Sequence, residues 1–442
     1  MYTQIDMNII ASHTTKLAGT VTIPGSKSQT IRGLVLATLA KGTSVLKNAL
    51  SSDDSEAAIK VCQALGAKIG RKGNALRVVG AGLGRPLSRG GRASAAPTTT
   101  ILNSGNSGIT TRFILPVLGL RKNYNQPIIL DCGEQMKKRP IKSLIEALRD
   151  LGMKIEGNSF PLKVSGQLIG GKTQVEGLTS QYLSALLLNL PCAQKDSEIQ
   201  VKDLHERPYV EMTLAWLKEQ RIKFSHSQKG AMDIYRIKGS QKYQSFSKTI
   251  PGDFSSASYF LAGSAMLGKN LTVKGLDLKD PQADKELLTI LKRMGARIKI
   301  TKNVIVASQS KDLTGVKINA KDIPDLLPTF AILATQAKGR TEILNVPQAR
   351  IKETDRIHSM SEGLKKMGAK VKELSDGLVV YQSKLHGAKV KGYEDHRTVM
   401  SLTLAGLSAS GKTEISNAES VNKTFPTFFK LLKSLGANIT LK

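Results

Sequence analysis

Two kinds of segment alternate along the chain in a fixed order. The first opens on polar residues, mostly Ser, Thr, Asn or Asp, and runs into an apolar helix. A glycine usually follows, then a short strand. It covers 26–48, 106–131, 179–203, 253–275, 325–346 and 396–418. The second ends a helix in Leu-Gly-Ala or a close variant and passes into β-branched residues, at Gly66, Gly152, Gly295, Gly368 and Gly436. A degenerate sixth copy at 217–224 puts Glu219 where the glycine should stand. The glycine closes each helix in the left-handed conformation, where a Cβ would be strained. The pattern therefore predicts six units of helix, strand, helix, strand, each about seventy residues long. Each first helix is expected to bury one apolar face, and several units must pack together to hide it. Six units exceed a single core, because cores stop growing near roughly 250–300 residues. Three plus three is the expected division. The polar stretch 240–250 near the midpoint suggests an N-half and a C-half.

Composition agrees with a globular α/β protein: 442 residues, 40% hydrophobic, with 39 glycines. The net charge of +30 changes the picture more, because such a field attracts anions. The basic residues are spread over the whole chain, and few aromatics interleave with them as a nucleic-acid stacking surface would need. Most of the excess is expected to be solvated surface, with the rest serving an anionic substrate; no nucleic-acid motif accompanies it. Cys62, Cys132 and Cys192 lie far apart, without metal-ligand spacing, and are expected as reduced thiols. The first ten residues lack the pattern of a signal peptide, and no apolar run is long enough to span a bilayer. These features predict a soluble, cytoplasmic protein with no membrane partner.

Two glycine motifs are set aside. Residues 406–413, GLSASGKT, match the phosphate-loop pattern by letter, but the context is reversed: a helix precedes and a strand follows. The run Gly80, Gly82, Gly84 is followed by Pro86 and an Arg/Gly-rich stretch, which predicts a loop. The six polar helix starts carry more. Singly, Ser or Asn at such a place is an ordinary cap. Here they keep charged company: Lys27, Ser28 and Arg32 at the first, Asn106, Ser107 and Arg112 at the second, then Asp253, Asp325, and His396 with Arg397. Equivalent units would turn these starts to one side of each domain, and two such sides opposed would form an anion-binding cleft. The basic cluster 137–140 could be a plain turn. The charged run 350–356 could be a solvated helix face with i,i+3 and i,i+4 pairing.

These segments together resemble a known family. PGSKSQTIR at 24–32 resembles the PGSKS-x3-R opening of the enolpyruvyl transferases, and Asn106-Ser107-Gly108 through Arg112 resembles NSGTTxR. GDFSSASYFL at 252–261, IKETDR at 351–356, DHR at 395–397 and KTFP at 423–426 follow in family order. The resemblance implies two domains of three βαβαββ repeats each, an inside-out α/β barrel, with substrates in the cleft between them. The implied boundaries are 25–249 against 1–24 plus 250–442. The branch acting on a UDP-sugar carries a cysteine five residues before the arginine matching Arg139; here that position is Glu134, and Cys132 is two residues off. The branch acting on shikimate 3-phosphate is the better match. The alternatives are transfer to UDP-N-acetylglucosamine and a basic nucleic-acid-binding repeat protein.

By this resemblance phosphoenolpyruvate is held by Lys27, Gly108, Arg139, Gln181, Arg356, Arg397 and Lys423. Shikimate 3-phosphate is held by Ser28, Arg32, Thr179, Ser180, Gln181, Tyr209, Asp325, Gln348 and Lys352. Asp325 is the implied base for the shikimate hydroxyl. Glu353 is the implied acid toward the methylene carbon, with Lys27 beside it. No metal or cofactor is implied; the partners are the two small molecules alone, and the chain is expected to be a monomer. Some positions depart from the family. Glu206 stands where serine is usual and is expected to turn away from the substrate phosphate, with Arg207 nearby. Gln348 replaces asparagine, Ile109 threonine and Phe113 proline, and 84–96 reads as an insertion of unassigned role.

Overall fold

The computed structural model describes residues 7–82, 100–310 and 312–442. The 84–96 insertion, Gly84 included, lies outside the described residues. Gly80 and Gly82 are in a loop, as expected. The chain divides into two compact units, Ser26–Ile250 and Met1–Gly25 with Pro251–Lys442.

The described residues form six four-stranded sheets, all of one topology. The third repeat shows it in unbroken sequence. Strand Lys172–Glu176 leads into helix Ser180–Asn189, and strand Ser197–Lys202 returns parallel to the first, with Val175 beside Val201. Helix Arg207–Glu219 follows, then the hairpin Phe224–Lys229 and Met232–Ile237, whose second strand adds antiparallel to Ser197–Lys202. Parallel neighbours need a crossover, and the helix supplies it.

Three strands come from distant sequence. Ser247–Thr249 pairs parallel with Thr43–Lys47 and completes the first sheet. The polar stretch 240–250 is thus the closing edge of its own unit. Thr20–Thr22 pairs parallel with Leu271–Lys274, and Ile9–Ser12 lies between Lys412–Ile415 and Ile439–Leu441. The N-terminal segment therefore belongs with the C-terminal repeats, which corrects the simple division into halves.

The first helix of each repeat is not half-buried but enclosed. All ten residues of Gly108–Val117 are buried, as are nine of the ten in Leu327–Gln336. In each unit these helices pack on one another, and the sheets lie outside them. A helix apolar all round belongs in such a place. Amphipathic faces occur instead on the second helices: Lys142–Asp150 buries Leu144, Ile145, Ala147 and Leu148.

The glycines after the second helices all have positive φ, between 86° and 102°. In the third repeat the equivalent residue is Arg221, with φ 55°, and not Glu219. Glu219 is the last helical residue, and its carboxylate pairs with Lys248 at 2.5 Å. The helix His396–Ser408 turns through Gly411 into the strand Lys412–Ile415, the reverse of a phosphate loop. Among the described residues no helix is long and apolar enough to cross a membrane. The three cysteines are unpaired, and burial pushes the Cys62 thiol up to about 11.

Candidate active site

The polar helix starts create two separate clusters, one in each unit. In Ser26–Ile250, Ser26 caps the first helix, and Lys27, its first residue, lies 3.1 Å from Asp54. Arg32, one turn on, is 1% exposed. It donates to the carbonyls of Ser28 (3.1 Å) and Tyr209 (2.8 Å) and to Thr213 Oγ1 (2.9 Å). Phe113 lies under this guanidinium, 5.2 Å from ring centre to Cζ. The aromatic ring therefore backs Arg32 while Ile109 packs into the apolar core.

At the second helix start Ser107 accepts from the Thr110 amide. Asn106 Oδ1 accepts from the amides of Gln135 and Met136, which fixes the turn leading to Arg139. A Cβ on Gly108 would lie 2.4 Å from Arg139 Nη1 and 3.0 Å from Arg112 Nη1. Gly108 is thus the surface on which two guanidinium groups rest. Arg112 donates to Gln181 Oε1 at 2.6 Å and to the Pro140 carbonyl at 2.8 Å. It ties the second helix start to the third and to the Arg139 turn. With its oxygen held by Arg112, Gln181 has its amide NH2 left to face elsewhere.

At the third start Thr179 Oγ1 accepts from the Gln181 amide. Ser180 donates from both its amide (3.1 Å) and its hydroxyl (2.8 Å) to Glu206 Oε2. Glu206 is 2% exposed. It does not turn away, as expected from sequence, but points at a residue assigned to the substrate. Its backbone explains this: φ 56° swings the side chain inward. Arg207 is drawn off to Asp233, which it holds through both nitrogens at 2.9 and 2.6 Å, with His226 joining at 2.8 Å. Tyr209 follows in the first turn, its amide on the Glu206 carbonyl.

The second unit is built around Arg356, which is 1% exposed. It donates to Asp325 Oδ1 (2.7 Å), Glu353 Oε2 (2.5 Å) and Asp395 Oδ2 (3.0 Å). Arg397 Nη2 takes the other Asp325 oxygen at 2.7 Å. Asp395 also caps its helix, accepting from the amides of Arg397 and Thr398. Burial alone would lower the Arg356 pKa, but the charges of Asp395, Glu353 and Asp325 carry it above its ordinary value. Lys423 donates to the Glu394 carbonyl at 2.7 Å, and buried Gln348 to that of Lys321 at 2.7 Å. Lys352 is half-buried between the 3-10 turn Pro347–Ile351 and the helix Arg356–Lys366. The run 350–356 is therefore no solvated helix face. Arg350 pairs outward with Asp355 and Glu373, and Arg356 pairs inward.

Sequence reasoning named Arg112 without a role, passed over Asp395 as the helix cap, and missed Asp284. Asp284 is 2% exposed and hydrogen-bonded to Ser255 Oγ in the first turn of the helix Phe254–Leu267. Burial, then the charge of Asp325, raise its pKa to about 7, against the pull of Arg397 and Ser255. Nothing in an acidic stretch such as 280–286 marks one carboxyl as buried. The linkage has a definite sign. The unfolded Asp ionises near pH 4 and the folded one near 7, so the folded state holds the extra proton in between. Stability contributed by neutral Asp284 is complete below about pH 4 and lost as pH rises to about 7. Asp284→Asn should therefore match the parent in urea unfolding near pH 4 and exceed it by on the order of 2–4 kcal/mol near pH 8. A gap that does not change with pH would mean that Asp284 keeps its charge when folded.

Each unit thus gathers cations: Lys27, Arg32, Arg112 and Arg139 in one, Arg356, Arg397 and Lys423 in the other. Such groups suit highly charged oxyanions. Among the described residues no cluster of His, Cys, Asp and Glu could hold a metal ion. The EPSP synthase (3-phosphoshikimate 1-carboxyvinyltransferase) family profile matches residues 11–432. The chain is 45% identical over 429 residues to the 3-phosphoshikimate 1-carboxyvinyltransferase of Ruminiclostridium cellulolyticum, covering 96% of this chain and 98% of that one. It is 36% identical over 445 residues to the enzyme of that name from Methanocaldococcus jannaschii, covering 98% and 99%. Among solved structures, EPSP synthase from Acinetobacter baumannii superposes with a TM-score of 0.78 at 25% identity, over 99% of this chain and 100% of that one. The enolpyruvyl transferase NikO from Streptomyces tendae shares the fold, with a TM-score of 0.77 at 17% identity over 99% of each chain. Motifs, repeat topology and full-length similarity converge: the chain belongs to the EPSP synthase family.

Proposed function

We propose that the chain transfers the enolpyruvyl group of phosphoenolpyruvate to the 5-hydroxyl of shikimate 3-phosphate and releases phosphate. The observation that carries this reading is the arrangement of Asp325, Glu353, Arg356 and Arg397 in one hydrogen-bonded group. It supplies two carboxylates for proton transfer and two guanidinium groups for an anionic substrate. Asp325 takes the proton of the attacking hydroxyl, and Glu353 delivers one to the methylene carbon. The hydroxyl oxygen bonds to the central carbon and gives a tetrahedral intermediate. Loss of a proton from the new methyl group then expels phosphate and restores the double bond.

Phosphoenolpyruvate is assigned to Lys27, Gly108, Arg139, Gln181, Arg356, Arg397 and Lys423. Shikimate 3-phosphate is assigned to Ser28, Arg32, Thr179, Ser180, Gln181, Tyr209, Asp325, Gln348 and Lys352. We further propose a cytoplasmic monomer that uses no cofactor and binds neither nucleic acid nor membrane.

Gly108→Ala tests the phosphoenolpyruvate assignment. Its Cβ must displace Arg139 Nη1, which would lie 2.4 Å away. The KM for phosphoenolpyruvate should rise roughly ten- to hundredfold, since catalytic groups misplaced by about 1 Å cost that much. An unchanged KM would remove this pair from the site. The acceptor is tested by phosphate release with shikimate 3-phosphate or UDP-N-acetylglucosamine. Release with the first alone is expected; release with the second alone would replace this reading by its sister activity.

A further inference from the structure

We propose that Glu206 is an internal stand-in for an oxyanion of the acceptor substrate, and that it screens which anions occupy the start of the Ser180–Asn189 helix. The inference rests on the proposed function, in which Thr179 and Ser180 help to hold shikimate 3-phosphate.

Three observations carry it. First, Glu206 stands at the N-cap of the helix Arg207–Glu219, where a carboxylate ordinarily accepts from its own helix, yet it makes no such bond. Its Oε2 reaches instead to a different helix and accepts from both the amide and the hydroxyl of Ser180. An amide and a hydroxyl at a helix start are the donors that an incoming phosphate or carboxylate would use. Second, the arrangement is held against a local cost. Glu206 has φ 56°, a left-handed conformation disfavoured for residues with a Cβ. Such conformations persist where surrounding structure enforces them. Here Arg207 is clamped by buried Asp233, itself bound by His226, and the Tyr209 amide closes the turn on the Glu206 carbonyl. Third, the carboxylate is almost fully enclosed, at 2% exposure, so its charge acts at short range on any anion seeking the same donors.

An oxyanion can take the Ser180 donors only by displacing this carboxylate. A small free anion gains little elsewhere and is turned away. A substrate that also engages Arg32, Gln181 and Tyr209 has further contacts to offset the displacement. Glu206 is thus a specificity-determining residue of the acceptor site.

The test compares the parent with Glu206→Ser, which vacates the donors, and Glu206→Gln, which keeps side-chain volume and removes charge. Glu176→Gln removes an exposed carboxylate from the same repeat and is the control for net charge. Inorganic phosphate is the probe, read by its effect on thermal unfolding and as an inhibitor competitive with shikimate 3-phosphate. Phosphate should bind both Glu206 variants at least roughly tenfold more tightly than the parent, with the control unchanged. The KM for shikimate 3-phosphate should fall in the same variants. If Glu206→Ser fails to fold, Glu206→Gln alone decides. Unchanged phosphate binding in the folded variants, an equal gain in the control, or a raised KM with no gain for phosphate would overturn the proposal. Absence of turnover in the parent would defeat the functional reading instead, and the unfolding measurement would still decide the role of Glu206.

Discussion

Asp325→Asn is expected to lower kcat by about two to four orders of magnitude while the KM for phosphoenolpyruvate changes much less. The substitution is chosen over Asp325→Ala for a structural reason. Both Asp325 oxygens are engaged, one by Arg356 and one by Arg397, each at 2.7 Å. Alanine would release both guanidinium groups and mix loss of the base with loss of substrate binding. Asparagine keeps an acceptor oxygen for one arginine and removes the basicity. A base acts in the transition state, so its loss belongs in kcat. If the KM rises in step and kcat is nearly kept, Asp325 positions the arginines and another group takes the proton.

The second large effect concerns Arg356. Its guanidinium, 1% exposed, is the shared partner of Asp325, Glu353 and Asp395. Arg356→Ala leaves three carboxylates facing one another without this cation. Removing one side of a buried ion pair costs about 3–5 kcal/mol, and the loss here should be at least that large. Turnover should be abolished as well. Arg356→Lys should recover little, because one ammonium cannot reproduce the fork that reaches three carboxylates. Urea unfolding and phosphate release measure the two effects. A variant that unfolds like the parent would show that the three carboxylates find other compensation.

Much of this architecture was legible in the chain. Five of the six polar helix starts cap their helix, Asp325 being turned to Arg356 and Arg397 instead, and the five Leu-Gly-Ala closures end theirs with positive φ; each such local task leaves its own repeat. Four of the family motifs fall on those same starts, while IKETDR and KTFP precede second helices, so the candidate residues are legible in the sequence. The strand exchange left little pattern. Thr20–Thr22 and Ile9–Ser12 are three and four residues long, too short for an alternation to declare its partner. The enclosed helices are not distinguishable from amphipathic ones in the sequence, because a stretch buried on all sides has no polar face to set its period. Arg221 hid the third closure, since a non-glycine residue there carries no local signal. Glu206 was misplaced because its direction depends on a left-handed backbone and on Asp233 capturing Arg207, contacts that join residues far apart in sequence. Asp284 was missed for the same reason: its environment is made by Ser255 and Asp325, from other elements.

The central claim is tested most directly by following both phosphorus atoms during turnover. Phosphoenolpyruvate and shikimate 3-phosphate are mixed with the protein and observed by phosphorus and proton NMR. The account predicts one inorganic phosphate released for each phosphoenolpyruvate consumed. The shikimate phosphate should remain attached, and vinyl protons of an enol ether should appear on the acceptor. Phosphate release without that ether, or no reaction from folded protein, would contradict it.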